Sequence, residues 1–400
     1  MGRKATNMTK QVQQFLAQHF PKIVEWRRYL HQYPEISFQE KQTALWIEQQ
    51  LQQIGCEVER NEEGYGLVVT IHAERPGPFI ALRADIDALP IQDEKEDCHY
   101  RSQIAQVMHA CGHDGHTAAL LAIASYYKQH NDWSGSRRLI FQPAEEVSPG
   151  GALGMIKAGA LQDVDVIYGA HLWTPLPYGQ AATTGGPFMS SADEFAIEII
   201  GKGGHGGLPH EAIDSIIVAT DFVQAIQKII SRNINPLAPA VISIGSIKAG
   251  SAANVIAERC YLNGTIRAFD EQNRLYLMKR IEEVLQHICA LHGATYELKI
   301  KQGYPSLIND KREAARFFSV AEQLLGSTHT VRAEPITVSE DFSYYLQEVP
   351  GCFMFVGAGN DEIGANYPHH HPKFNIDERA IINAAALLIT LAEDYSINHS

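Results

Sequence analysis

The chain lacks three features that would define its class at once: a disulfide framework, a membrane-spanning run and a low-complexity segment. Its 400 residues include only 6 cysteines, which lie far apart with no paired spacing, so we expect free thiols and a cytoplasmic protein. No apolar stretch approaches the roughly 20 residues of a membrane span. The richest, residues 380–392, contains Asn383 and is expected to form a buried helix. Residues 1–10 are polar, which predicts no secretory signal.

Positive charge is also scarce. Lys and Arg total 33 against 46 Asp and Glu, which gives a formal net charge of −13. A surface of that sign repels nucleic acid and anionic membranes, so we expect neither as a partner. A length of 400 residues exceeds what one hydrophobic core usually serves. We therefore expect two domains, or one domain with a large insertion.

The order of predicted strands and helices changes in the middle of the chain. Before residue 184, strands alternate with helices, which favours an α/β fold with a mostly parallel sheet covered on both faces. Residues 195–301 instead follow the order strand, helix, strand, strand, helix, strand of a ferredoxin-like domain. We predict a discontinuous α/β domain, residues 1–184 and 304–400, that carries an inserted α+β domain, residues 185–303.

The segment Ser37-Phe-Gln-Glu40 predicts the start of one helix. Ser followed three residues later by Glu is the capping-box pattern. Ala44, Ile47 and Leu51 then recur at helical spacing, and Gly55 is expected to end the helix.

Polar clusters follow successive predicted strands. They are Asp85 and Asp87, Cys111 and His113, Glu145 and Glu146, and His171. Because ligands of open α/β sheets bind beyond the carboxyl ends of the strands, we expect these clusters to converge. A late cluster, residues 367–372, contains three consecutive histidines that could reach the same edge.

Thiolate, imidazole and carboxylate groups are together the donor set of Zn²⁺, and Mn²⁺ or Co²⁺ also accept them. The candidate ligands are Cys111, His113, Glu146, His171 and one of His369 to His371. Five ligands exceed the four of one tetrahedral ion. They favour two ions about 3.5–4 Å apart that share a ligand. Cys111 is the better candidate for the shared ligand, because a thiolate has lone pairs for two ions.

The adjacent acids Glu145 and Glu146 suggest two roles at one place. Successive side chains of an extended segment point in opposite directions, so one carboxylate can bind metal while the other does not. A second carboxylate beside a metal-activated water is the general base of metal-assisted hydrolysis. Asp87 is a candidate partner that orients a ligand or the base.

Each of these features also has a simpler interpretation. Cys111 on its own could be an inert core thiol, and Glu145 with Glu146 could form part of a solvated surface. Two of the three late histidines could lie in a surface loop, and His205, among glycines at 201–207, in a flexible hairpin. Recurrence of the clusters at successive strand ends favours a site.

Four motifs, residues 83–90, 109–116, 142–146 and 169–173, closely resemble those of the M20 metallopeptidases. The match is to their amidohydrolase branch, which includes hippurate hydrolases, N-acyl-amino-acid deacylases and auxin-conjugate hydrolases. Further motifs follow in the family's order at residues 201–210, 264–267, 339–342 and 370–374. The resemblance implies a di-metal catalytic domain with an inserted lid that also makes a homodimer or higher homo-oligomer.

Residue roles carried over from the family concern both domains. The implied metal ligands are Cys111, His113, Glu146, His171 and His370, for two divalent ions per subunit, Zn²⁺ or Mn²⁺ or else Co²⁺ or Ni²⁺. Glu145 becomes the general base and Asp87 the orienting acid. In the lid, His205 would stabilise the oxyanion in the partner subunit's site, and Asn254 and Arg267 would meet the substrate's carboxylate.

The chain departs from the family at two positions. Ala257 stands where the family often has proline, and Asp85 where members outside this branch have a metal-binding histidine. The difference at Asp85 argues against carrying over peptidase-type substrates from those other members.

The resulting hypothesis is a metal-dependent amidohydrolase that cleaves the amide bond of small N-acyl amino acids by attack of a metal-held water. One alternative is a dipeptidase or aminoacylase-type peptidase of the same family. Another is a hydrolase with Cys111 as nucleophile and His113 or His116 as base. A third is a metal-dependent binding protein without catalysis.

Overall fold

The computed structural model describes residues 2–61 and 64–399, with the side chains of residues 8–61 and 64–399. The helices are α1 (Gly2–Gln32), α2 (Lys41–Ile54), α3 (His113–Gln129), α4 (Ala152–Lys157), α5 (Ser215–Asn233), α6 (Glu271–His292), α7 (Lys311–Leu325), α8 (Phe342–Glu348) and α9 (Arg379–His399). The strands are β1 (Glu59–Arg60), β2 (Leu67–His72), β3 (Arg75–Asp85), β4 (Ser134–Gln142), β5 (Val166–Pro177), β6 (Ala181–Thr183), β7 (Gly186–Met189), β8 (Asp193–Ile200), β9 (Gly204–His205), β10 (Ala240–Ala249), β11 (Val255–Ile256), β12 (Arg259–Ala268), β13 (Thr295–Lys301), β14 (Leu307–Asn309), β15 (Thr330–Arg332) and β16 (Gly351–Gly359).

Two compact units make up the chain, and each has its own hydrophobic core. Unit 1 contains residues 1–186, 308–334 and 341–400. Unit 2 contains residues 187–307 and 335–340.

Unit 1 is built on an eight-stranded sheet in the order β1-β2-β4-β3-β5-β16-β6-β15. Its centre is parallel, since β3 pairs in parallel with β4 and β5, and β5 with β16. These strands are buried on both faces, as parallel strands normally are. The predicted mainly parallel sheet is therefore confirmed, and β1 and β2 extend it as an antiparallel edge.

Helix α3 lies against this sheet with its residues 113–127 buried. Gly115 in its first turn allows a close approach to β5, because a Cβ there would lie 2.4 Å from Leu172 Cδ1. The first turn of α3 is thus held next to His171. Helix α9 is long and apolar enough to cross a membrane by length and composition, but 78% of its apolar window is buried inside the protein. It is the buried helix expected from residues 380–392.

Unit 2 contains a four-stranded antiparallel sheet in the order β10-β12-β8-β13, with α5 and α6 packed on its buried face. Buried and exposed residues alternate along β8, which leaves one face for the helices. Asp214 and Asp270 accept hydrogen bonds from the first turns of α5 and α6. The element order is that of the predicted ferredoxin-like arrangement.

The predicted capping box before α2 is wrong. The helix begins at Lys41, and neither Ser37 nor Glu40 caps it. Instead, the Ser37 hydroxyl donates to Asp87 at 2.7 Å, and Glu40 accepts from the Ala144 backbone N–H at 2.7 Å. Tertiary partners in unit 1 take both side chains. The helix does end at Gly55, which has a left-handed φ of 91°.

Candidate metal centre

Five segments of unit 1 position the predicted site residues: the ends of β3 and β4, the start of α3, strand β5, and the segment between β16 and α9 that contains His370. Asp85 is the last residue of β3, and Gln142, which ends β4, leads directly to Glu145 and Glu146. His113 is the first residue of α3. The expectation that His171 follows a strand is wrong, because β5 continues to Pro177 and His171 lies within it.

All five predicted metal ligands lie in one continuous cluster. Cys111 Sγ is 3.4 Å from His171 Nε2, and donor atoms of Cys111, His113 and Glu146 lie within 4.8 Å of one another. Glu146 Oε2 is 3.3 Å from His370 Nε2. Their individual roles as metal ligands stay predictions.

Cys111 belongs to two separate groups of donor atoms. One contains Cys111, His113 and Glu146, and the other contains Cys111, His171 and His369, each within 4.8 Å. A ligand shared by two adjacent ions would have this position. His369 was not selected by the family resemblance. It stacks on Trp173 with ring centroids 4.4 Å apart, and its Nε2 accepts from the Thr174 backbone N–H at 3.3 Å.

Divalent cations fit the cluster because several of its donor atoms have no hydrogen-bond partner. In the described part of the chain, His113 Nε2, Glu146 Oε1 and His369 Nδ1 are buried and unpaired. Buried polar atoms are rarely left in this state unless an ion or water satisfies them. The mixture of thiol, imidazole and carboxylate donors suits zinc-like divalent ions.

The charges around Cys111 and His113 are strongly unbalanced. Burial, and then Glu146, Glu145 and Asp85, raise the pKa of the Cys111 thiol well above its ordinary value. Burial alone would lower the pKa of His113, but Asp85 and Asp87 outweigh it and raise this pKa to about 10. The His113 shift, and the part of the Cys111 shift that burial does not cause, reflect negative charge concentrated at one place, which bound divalent cations would offset.

Asp87 contacts two predicted metal ligands, the imidazole of His113 and the backbone of Glu146. His113 Nδ1 lies 3.0 Å from the Asp87 carbonyl oxygen and 3.3 Å from Oδ1. Asp87 Oδ2 accepts from the Glu146 backbone N–H at 3.0 Å and from Ser37. The Nδ1 contacts leave Nε2 of His113 for a metal, which is how outer carboxylates fix metal-binding histidines.

Asp85 and His116 lie beside the cluster. His116 Nδ1 donates to Asp85 at 2.6 Å, and His116 Nε2 accepts from the Leu172 backbone N–H at 2.8 Å. Arg83 also donates to Asp85 at 2.6 Å. His116 therefore ties the end of β3 to the part of β5 that follows His171.

Glu145 is buried, with 6% of its surface exposed. One of its carboxylate oxygens lies within 4.8 Å of one from Asp341, which accepts from Arg83 at 2.7 Å and from Gln142. Burial raises the pKa of Asp341 to about 6. Sequence reasoning did not single out Asp341, although it lies in the matched motif 339–342.

The predicted lid residues all belong to unit 2. Pairing of β9 with β11 places His205 opposite Val255, the residue that follows Asn254, and both His205 and Asn254 are exposed. Arg267 lies on β12 opposite Val241. Their predicted roles at the site remain predictions.

Comparison with known proteins gives a consistent result. The sequence pattern of peptidase family M20/M25/M40 matches residues 81–394. The N-acyl-L-amino acid amidohydrolase of Geobacillus stearothermophilus is 43% identical over 289 residues, 72% of this chain and 78% of that protein. The N-acetyl-L-cysteine deacetylase of Bacillus subtilis (strain 168) is 40% identical over 372 residues, 93% of this chain and 87% of that protein.

A solved structure agrees with these relatives. The Bacillus subtilis YXEP protein, described as a dinuclear metal binding peptidase from the M20 family, superposes with a TM-score of 0.82 at 33% identity. The match covers 95% of this chain and 99% of that one. The resemblance drawn from the motifs is confirmed.

Proposed function

The chain belongs to peptidase family M20/M25/M40, and on that basis we propose that it hydrolyses the amide bond of N-acyl amino acids, with Glu145 as the general base. It is an amidohydrolase acting on linear amides. The named activities of its relatives supply the substrate class: an amino acid whose nitrogen carries an acyl group.

The contacts around Cys111 support separate roles for the metal ligands, the general base and the orienting acid. Two divalent ions, held by Cys111, His113, Glu146, His171 and His370, would polarise the amide carbonyl and lower the pKa of the attacking water. Glu145 takes a proton from that water and returns it to the leaving amine. Asp87 holds the ring of His113 and the backbone of Glu146 in place.

Three residues of unit 2 are assigned to the substrate. Arg267, with Asn254, binds the α-carboxylate, because a guanidinium can donate two parallel hydrogen bonds to it. The partner subunit's His205 donates to the oxyanion that develops on the carbonyl. This arrangement requires a homodimer or a higher homo-oligomer.

The proposal rests on two buried ligand atoms without hydrogen-bond partners, which lie beside the carboxylate of Glu145. His113 Nε2 and Glu146 Oε1 lie 3.8 Å apart, both without a hydrogen-bond partner in the described residues. The adjacent residue Glu145 brings a further buried carboxylate to the same place. A purely metal-binding protein would have no use for that extra acid.

Substitution of Glu145 tests the assignment. Glu145→Gln should bind metal as the unaltered chain does and lose about 10²- to 10⁴-fold in kcat, because the general base is gone. Glu146→Gln is the matched control and should lose metal as well as activity. Metal content by mass spectrometry and kcat on N-acetyl amino acids measure both effects. Full turnover by Glu145→Gln would refute the role of Glu145.

We assign the protein to the cytoplasm, because its six cysteines are all free thiols. Zn²⁺ and Mn²⁺ are the first candidates for the two ions, followed by Co²⁺ and Ni²⁺, since each accepts this mixture of donors.

A further inference from the structure

A buried arginine on α1 connects two of the segments that carry the predicted metal ligands. Arg27 has no exposed surface. Its Nε donates to Asp114 Oδ2 at 2.8 Å, its Nη2 to Asn375 at 3.1 Å, and its Nη1 to Glu378 at 3.2 Å. One guanidinium therefore uses donors on all three of its nitrogens for three different partners.

The first of these partners belongs to the Cys111–His113 segment. Asp114 directly follows His113, is fully buried, and accepts at Oδ2 from His31 Nδ1 at 2.7 Å as well as from Arg27. The other Asp114 oxygen accepts from the Gly115 backbone N–H at 2.9 Å. The carboxylate thus fixes the first turn of α3, the turn that presents the imidazole of His113.

The other two partners belong to the segment that follows His370. Asn375 lies five residues after His370 and donates through Nδ2 to the Tyr100 hydroxyl at 3.1 Å. The Tyr100 ring also packs under the Arg27 guanidinium, with Cζ 4.8 Å from the ring centroid. The two segments meet directly as well, since the His370 backbone N–H donates to the Ala110 carbonyl at 2.8 Å.

We infer that Arg27 is a positioning residue for the metal centre: it sets the spacing between the Cys111–His113 segment and the His370 segment. Arg27 contacts none of the predicted ligands and acts through Asp114 and Asn375. The inference rests on the proposed function only in taking those residues as metal ligands. Groups that orient ligands in this way commonly change metal affinity about 10- to 100-fold when removed.

The neighbouring residue provides a matched control. Arg28 also pairs with Glu378, at 2.7 Å, and stacks on the same Tyr100 ring at 4.7 Å. Within the described residues, the Arg28 guanidinium bonds to Glu378 and His99 and not to Asp114 or Asn375. About a third of its side chain is exposed. Arg27→Gln and Arg28→Gln therefore remove the same charge from adjacent positions and differ in the link between the two ligand segments.

The affinity of the full chain for Mn²⁺ tests the inference. Equilibrium dialysis, and electron paramagnetic resonance of the free ion, measure it. Arg27→Gln should raise the Mn²⁺ dissociation constant about tenfold. Arg27→Lys should give a smaller increase, because it keeps the positive charge beside Asp114. Some increase should remain, because a single ammonium cannot reach all three partners. Arg28→Gln should stay within about twofold of the unaltered chain. At saturating Mn²⁺, kcat of Arg27→Gln should recover.

Asn375→Ala keeps the inference testable if loss of the buried arginine prevents folding. It removes one of the two Arg27 contacts with the segment that follows His370, and it leaves the pairs of Arg27 with Asp114 and with Glu378 intact. It should weaken Mn²⁺ binding several-fold, and combined with Arg27→Lys it should add less than the two single effects together. Unaltered Mn²⁺ affinity in Arg27→Gln and Asn375→Ala, even with a lower Tm, would show a purely structural role and overturn the inference. If the unaltered chain binds Mn²⁺ but cleaves no N-acyl amino acid, the proposed function fails while this comparison still stands.

Discussion

At the scale of single residues, Glu40 shows how burial changes a carboxyl group next to the site. The residue is fully buried. One oxygen accepts from Ala144 N–H, and the other has no hydrogen-bond partner among the described atoms. Burial, and then the nearby carboxylate of Asp87, raise the pKa of Glu40 to about 7. Ala144, whose φ of 56° is unusual for a residue with a side chain, precedes Glu145.

The pKa of Glu40 predicts a pH-dependent effect of Glu40→Gln. The folded state favours the neutral acid, so the stability that Glu40 contributes is present below about pH 4 and is lost as pH rises through about 7. Gln remains neutral and can still accept from Ala144. Metal-free Glu40→Gln should therefore be more stable than the unaltered chain at pH 8, by up to about 3 kcal/mol, with little difference at pH 4.5.

Urea denaturation at both pH values, with metal removed from both proteins, measures this effect. A free-energy difference between the two proteins that is the same at pH 4.5 and pH 8 would show that Glu40 is not held in its neutral form.

Ser37 and Glu40 also show why the capping box was predicted wrongly from the sequence. Their spacing matches a capping box, and nothing within the segment distinguishes a local cap from a distant partner. The actual partners, Asp87 and Ala144, lie 50 and 104 residues further along the chain. By contrast, Cys111 and His113 could be predicted as site residues, because clusters of potential metal ligands recur at successive strands of one sheet.

At the scale of elements, local periodicity is sufficient to predict the strands and helices of unit 2. It is insufficient to predict strand pairing at the edge of the unit 1 sheet. The alternation along β8 and the capped helices α5 and α6 can be recognised within short windows. The antiparallel pairing of β2 with β4 joins residues about seventy positions apart, such as Leu67 and Phe141. Such pairings depend on how the whole sheet assembles, and local sequence patterns carry no information about that assembly.

The short β9–β11 pairing of unit 2 carries the proposed oxyanion residue. It places the exposed His205 opposite Val255, the residue that follows Asn254. If His205 serves the partner subunit's site, Glu145→Gln and His205→Ala should each be inactive as homodimers. Mixed dimers would contain one site with both native residues. With random exchange between closed two-fold dimers, about a quarter of the native activity should return.

Refolding or subunit exchange of the two variants, followed by a hydrolysis assay, tests this prediction. The separate variants, taken through the same treatment, are the controls. Activity of the mixture equal to the average of the separate variants would show that His205 does not act across subunits.

At the scale of the whole molecule, the chain brings acidic groups together at the centre of unit 1. Asp85, Asp87 and Glu145 are all buried near Cys111 and His113. Burying so many like charges is costly without compensating cations. The proposed two-metal centre explains why a structure would retain them. It also accounts for the buried ligand atoms that have no hydrogen-bond partner among the described residues.

Hydrolysis of an N-acetyl amino acid, followed as a function of bound metal per chain, tests this account most directly. The chain is stripped with a chelator, the chelator is removed, and Mn²⁺, Zn²⁺ or Co²⁺ is returned in steps. The account predicts no turnover by the metal-free chain and recovery that rises with bound metal. A metal-free chain that retains its full rate would contradict it and would point instead to Cys111 as a nucleophile.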